Sequence, residues 1–60
     1  MNTPTTGTKM TITYHGRTYT GTVSDVRIDS RGFCFLLNCP RSTRGVFCRN
    51  DGSVYHVISL

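Results

Sequence analysis

Residues Lys9 to Val23 read KMTITYHGRTYTGTV, and the alternation in this stretch decides the fold. Successive side chains of a strand point to opposite faces. His15-Gly16 separates two alternating runs by the two residues of a tight hairpin, and glycine tolerates the positive φ such a turn needs. A two-residue loop pairs Tyr14 with Arg17, Ile12 with Tyr19 and Met10 with Gly21. Cross-strand partners share a face. One face therefore collects Met10, Ile12, Tyr14, Tyr19 and Val23, and the other Thr11, Thr13, Thr18, Thr20 and Thr22. Threonine keeps strand propensity through its branched Cβ while its hydroxyl tolerates water, so the first face is expected inside and the threonine face outside.

Working toward the C-terminus, the apolar parity slips after Val23. Val26 and Ile28 fall on even positions where Tyr19 and Val23 were odd, so a bulge or bend at Ser24-Asp25 is expected to re-aim the strand, with Gly21 as a second soft point. Asp29 to Gly32 reads as a turn. Phe33 to Cys39, FCFLLNC, is a nearly continuous apolar strand and the expected central one. Pro40 to Gly45 reads as a loop, Val46 to Arg49 as a fourth strand, Asn50-Asp51-Gly52 as a turn and Ser53 to Ser59 as a fifth strand. Toward the N-terminus, residues 1–8, MNTPTTGT, are small and polar with Pro and Gly. They are expected to form a flexible arm ahead of one domain at residues 9–60.

Composition agrees with this reading. The chain of 60 residues has no Ala, Glu or Gln and a single Lys, which removes most strong helix formers. A chain of this size buries only about 60% of the surface its unfolded form exposes. The core is therefore small, and a dimer or higher oligomer is expected as a source of further buried surface. Five short strands without a helical segment predict an all-β fold: a strongly bent antiparallel sheet curling into a small SH3-like barrel, Sm-like or OB-like in kind.

The run from Ile12 to Asn38, ITYHGRTYTGTVSDVRIDSRGFCFLLN, resembles the first half of an Sm-like barrel, with Gly21 and Asp25 in the positions of that family's glycine and aspartate. The resemblance implies a ring-forming RNA binder. In size and bias the chain also looks like the small regulatory proteins of phages and prophages that modulate host machinery.

Three cysteines, Cys34, Cys39 and Cys48, are an odd number behind no signal-peptide pattern, which argues against an obligatory disulfide framework and for a cytoplasmic location. The longest apolar run, Phe33 to Leu37, is far short of the roughly 20 residues that cross a bilayer, so no membrane partner is expected. Cys34, Cys39, Cys48 and His56 lack the close ligand pair of a zinc knuckle, and no metal or other cofactor is expected. A turn at Asp51-Gly52 sets Cys48 opposite Tyr55 and points His56 to the other face, so a thiol–imidazole dyad is not expected either. Without glutamate and with three aspartates, the chain reads as non-enzymatic.

The net charge of +4 favours polyanionic or acidic partners. Arg41 and Arg44 flank PRSTRG, a segment that presents guanidinium forks and small polar residues to phosphate oxygens. Arg17, Arg27, Arg31 and Arg49 lie at or beside expected turns. With Lys9 these residues form the candidate binding set, and Tyr14, Tyr19, Phe47 and Tyr55 are candidate stacking platforms. Nucleic acid, RNA or DNA, is the first-choice partner. The alternative is an inhibitor or adaptor that grips an acidic protein surface, or a sheet edge, of a host enzyme or regulator.

Overall fold

The structure, a computed structural model, describes residues 3–60. Five strands follow one another: β1 (Lys9–Tyr14), β2 (Arg17–Asp29), β3 (Gly32–Asn38), β4 (Thr43–Arg49) and β5 (Val54–Ser59). Each pairs antiparallel with the next, and their order across the sheet is their order in the chain. The apolar strand β3 is central, as its composition predicts.

The first hairpin has the predicted register: Tyr14 opposite Arg17, Ile12 opposite Tyr19 and Met10 opposite Gly21. Both turn residues take positive φ, His15 at 51° and Gly16 at 76°, the pairing whose twist suits a two-residue hairpin. Ile12 and Val23 are buried and Met10, Tyr14 and Tyr19 half-buried, whereas Thr11, Thr13, Thr18, Thr20 and Thr22 are all exposed. Thr11 and Thr20 share a hydroxyl hydrogen bond of 2.9 Å on that outer face.

β2 serves two partners with different halves. Arg17 to Thr22 pair with β1, and Thr22 to Asp29 with β3, so the sheet bends where the halves meet. Gly21 permits the bend, because a Cβ there would lie 2.5 Å from the carbonyl oxygen of Asn38. The predicted bulge follows, with Ser24 opposite Leu36 and then Arg27 opposite Cys34. Asp25 absorbs the extra residue at φ 52°. Together these devices curl the sheet into a half-barrel, with β1 brought against β5; among the described residues no ladder joins those two strands.

The concave face holds the core: Ile12, Val23, Phe33, Phe35, Leu37, Val46 and Cys48, with Met10, Tyr19, Val26, Cys39, Val54 and Val57 packed around it. Val23, Leu37 and Val46 are fully enclosed, each contributing about 1.5–3 kcal/mol of burial. Among the described residues no helix is long and apolar enough to cross a membrane.

Four details differ from the sequence reading. Of the expected arm, Met1 and Asn2 lie outside the described residues, but Thr5 to Thr8 are held. Thr8 N–H donates to Thr5 O at 3.0 Å, Gly7 N–H to Val23 O at 2.8 Å and Val23 N–H to Thr8 O at 2.9 Å. Unpaired backbone groups of Val23 are satisfied in this way, which composition does not reveal. The loop after β3 is shorter than expected, because Thr43 and Arg44 already pair with Asn38 and Leu37. Cys48 faces Val54, not Tyr55, since Tyr55 is the extra residue of a bulge and Phe47 faces His56. Lastly, Ile28 shares the side of its partner Phe33 but lies beyond the reach of β1 and remains 63% exposed.

Candidate functional site

Turn chemistry places one pair of exposed arginines, Arg31 and Arg49, together. Between β2 and β3, the Asp29 carboxylate accepts the backbone N–H groups of Arg31 at 2.8 Å and Gly32 at 3.0 Å, which ties off the turn and leaves the Arg31 side chain outside it. Between β4 and β5, Asp51 accepts the N–H of Ser53 at 2.9 Å and its hydroxyl at 2.7 Å. Those bonds, with the nearby Arg49 guanidinium, hold the Asp51 carboxyl below its ordinary range. Both turns lie at the same end of the sheet, because Gly32 pairs with Arg49.

The result is an open groove of about 650 Å³ lined by Ser30, Arg31, Arg49, Asn50, Asp51 and Tyr55. The β5 bulge turns Tyr55 outward, where 39% of it stays exposed. Arg49 lies over the ring with its guanidinium carbon 5.3 Å from the centroid, within cation–π range. Two guanidinium groups, a side-chain amide and an aromatic ring thus share one groove. Asp51 is its carboxylate, already engaged by Ser53.

The other sequence-predicted cations are dispersed. Arg41 is exposed at the opposite end, in a groove of about 290 Å³ shared with Thr18, Tyr19, Thr20, Ser42 and Arg44. Arg44 itself is not a loop residue. It sits in β4 opposite Leu37, points to the concave side, and lies over the Tyr19 ring at 5.2 Å. It also donates to the Ser59 hydroxyl, while its Nε is buried without a partner. The two arginines expected to act together therefore differ, one exposed and one built into the fold. Arg17 is exposed beside the first hairpin turn, and Lys9 and Arg27 are exposed on the outer face, opposite Thr22 and Cys34. Of the expected platforms, Tyr14 stacks on His15 with centroids 4.1 Å apart, Phe47 packs against His56 and Tyr55, and Tyr19 is covered by Arg44.

All three cysteines are free thiols. Cys48 belongs to the core, whereas His56 faces Phe47 on the other side of the sheet. Burial, and secondarily the neighbouring Cys34, push the Cys48 thiol above its ordinary value, so it holds its proton. Among the described residues no three His, Cys, Asp or Glu side chains converge as a metal site. No family model, curated protein or solved structure matches the chain.

The joining of Arg31, Arg49 and Tyr55 was not legible beforehand as a unit. Its signal lay in two turn sequences, Asp29 to Gly32 and Asn50 to Gly52, that fall at one end of an antiparallel meander. The outward turn of Tyr55 depends on a bulge that strand parity does not announce.

Proposed function

We propose that this chain is a small non-enzymatic binding module of regulatory type that takes single-stranded nucleic acid, RNA or DNA, at the Arg31–Arg49–Tyr55 groove. The observation that carries the reading is the juxtaposition of two exposed guanidinium groups with an exposed aromatic ring. Guanidinium forks match phosphate oxygens, and a base stacks on an aromatic face for about 1–3 kcal/mol. Arg49 lies over the Tyr55 ring and Phe47 packs beside it, and the 39% of Tyr55 that stays exposed is the surface offered to a base. The net charge of +4 adds non-specific attraction. The Sm-like resemblance of Ile12 to Asn38 points the same way, toward RNA.

Anisotropy of labelled single-stranded RNA and DNA, titrated at several salt concentrations, tests this. Replacing Arg31 and Arg49 by Ala is expected to weaken binding to every sequence and to flatten the salt slope by about 0.7 per lost phosphate contact on a single strand. Tyr55→Ala is expected to weaken binding about tenfold while leaving the salt slope in place. Undetectable binding of either polymer by the parent at low salt would sink the reading and put the protein-binding alternative first.

A further inference from the structure

The outer face of the sheet is two surfaces. Over β1 and the first half of β2 it is threonine. Asn38 ends that region, donating to Thr22 O at 3.0 Å and to Ser24 Oγ at 2.8 Å and accepting from the Thr43 hydroxyl at 3.2 Å. Beyond this polar seam, over β3 to β5 and Leu60 past its end, the same face is mainly apolar: Cys34, Leu36 and Phe47 are half-buried, Ile58 and Leu60 are 37% and 67% exposed, and the exposed His56 packs against Phe47.

A strand apolar at both parities is one that expects cover on both faces. β3 is such a strand, with Phe33, Phe35 and Leu37 inward and Cys34 and Leu36 outward, yet the concave face alone has a core. Gly45 deepens the outer surface: a Cβ there would lie 2.9 Å from Cγ1 of Ile58, so the missing side chain lets Ile58 lie down across β4. The result is a groove of about 360 Å³ with Asp25 and Arg27 among its lining residues.

We propose that this outer face is an interface between two copies of the chain related by a twofold axis. The charge pattern selects that occupant. The chain carries +4, but this groove holds one aspartate and one arginine, so its local balance is neutral and suits neither a polyanion nor an acidic protein. A twofold interface places residue i of one copy against residue j of the other and the reverse. Asp25 of each copy then meets Arg27 of the other while the apolar side chains pack between the two sheets. A standard interface needs about 800 Å² from each partner, about a fifth of the 4086 Å² this chain exposes.

Sedimentation equilibrium over a hundredfold concentration range is the test. The parent is expected to rise from 6.7 kDa to twice that mass and stop. Leu60→Asp, at an exposed position, is expected to weaken the dimer at least about tenfold, equivalent to 1.4 kcal/mol. Arg27→Asp and Asp25→Lys are each expected to do the same through like-charge contacts, with retained folding checked by circular dichroism. An equimolar mixture of these two charge variants is expected to recover the dimer, because both cross-pairs are then of opposite sign. A constant monomer mass for the parent overturns the proposal, as does growth beyond a dimer. Parent-like association of Leu60→Asp, or a mixture no stronger than its components, places any dimer elsewhere and overturns it too.

Discussion

The guanidinium of Arg44 lies 5.2 Å from the centre of the Tyr19 ring, joining β4 to the hairpin strand that folds over it. A cation over a ring is worth about 0.5–1 kcal/mol when exposed and about 2 when desolvated, and Arg44 stands between these limits because it is half-buried. Arg44→Ala is therefore expected to destabilise the fold by about 1–2 kcal/mol, and Arg41→Ala, on an exposed loop, by under about 0.5 kcal/mol. Denaturant unfolding of the two variants checks this, and equal losses would place Arg44 outside the fold's structure.

The face assignment of the first hairpin predicts a contrast between neighbours. Ile12 is 6% exposed in the core, so Ile12→Ala is expected to cost about 2–4 kcal/mol. Thr13→Ser on the outer face is expected to cost under about 0.5 kcal/mol. Similar midpoints in urea would show that the hairpin register is shifted.

Gly21 is where β2 passes closest to the end of β3. Since a Cβ there meets backbone atoms of Asn38 and Cys39 within 3 Å, relief requires the strands to part. Gly21→Ala is expected to cost about 1–3 kcal/mol, the usual toll of overpacking, and to loosen the bend. A thermal unfolding midpoint equal to that of the parent would show that the strands separate freely here.

Cys48 gives a prediction on the alkaline side. Its pKa is raised in the folded state, so the folded chain keeps a proton that the unfolded chain releases. The associated stability is present below the ordinary thiol pKa and is lost as the pH rises through the raised value. Unfolding midpoints are expected to fall over that window, and Cys48→Ala to flatten the fall. At neutral pH, alkylation followed by mass spectrometry is expected to label Cys48 last, because it is 4% exposed and neutral, while Cys34 and Cys39 are half-buried.

Asp51 has the opposite sign. Its pKa is lowered chiefly by the Ser53 hydroxyl, so its contribution is present above the ordinary carboxylate range and lost as the pH falls through the lowered value. In Ser53→Ala the carboxyl is expected to titrate at a higher pH than in the parent, read from its carbon chemical shift. An unchanged titration would mean that the hydroxyl does not hold the β4–β5 turn.

Local periodicity by itself determined the strand class, the first hairpin with its register and inward face, the Ser24-Asp25 bulge and the centrality of β3. These features rest on contacts between residues near in the chain, and an alternation of period two states them directly. The sequence also displayed every cation, but not their grouping. Tertiary structure alone decided that Arg44 turns inward onto Tyr19 while Arg41 stays in water, since that depends on β4 pairing two residues earlier than the loop composition suggests. It also decided that Arg31, Arg49 and Tyr55 share one groove. That grouping requires two turns far apart in the chain to fall at one end of the sheet, and a bulge to rotate Tyr55 outward. The apolar outer face was half legible, since FCFLL is apolar at both parities, but only the curl of the sheet shows which parity it encloses. A one-residue slip at either bulge exchanges the faces of everything beyond it, which is why the site, unlike the hairpin, had to await the fold.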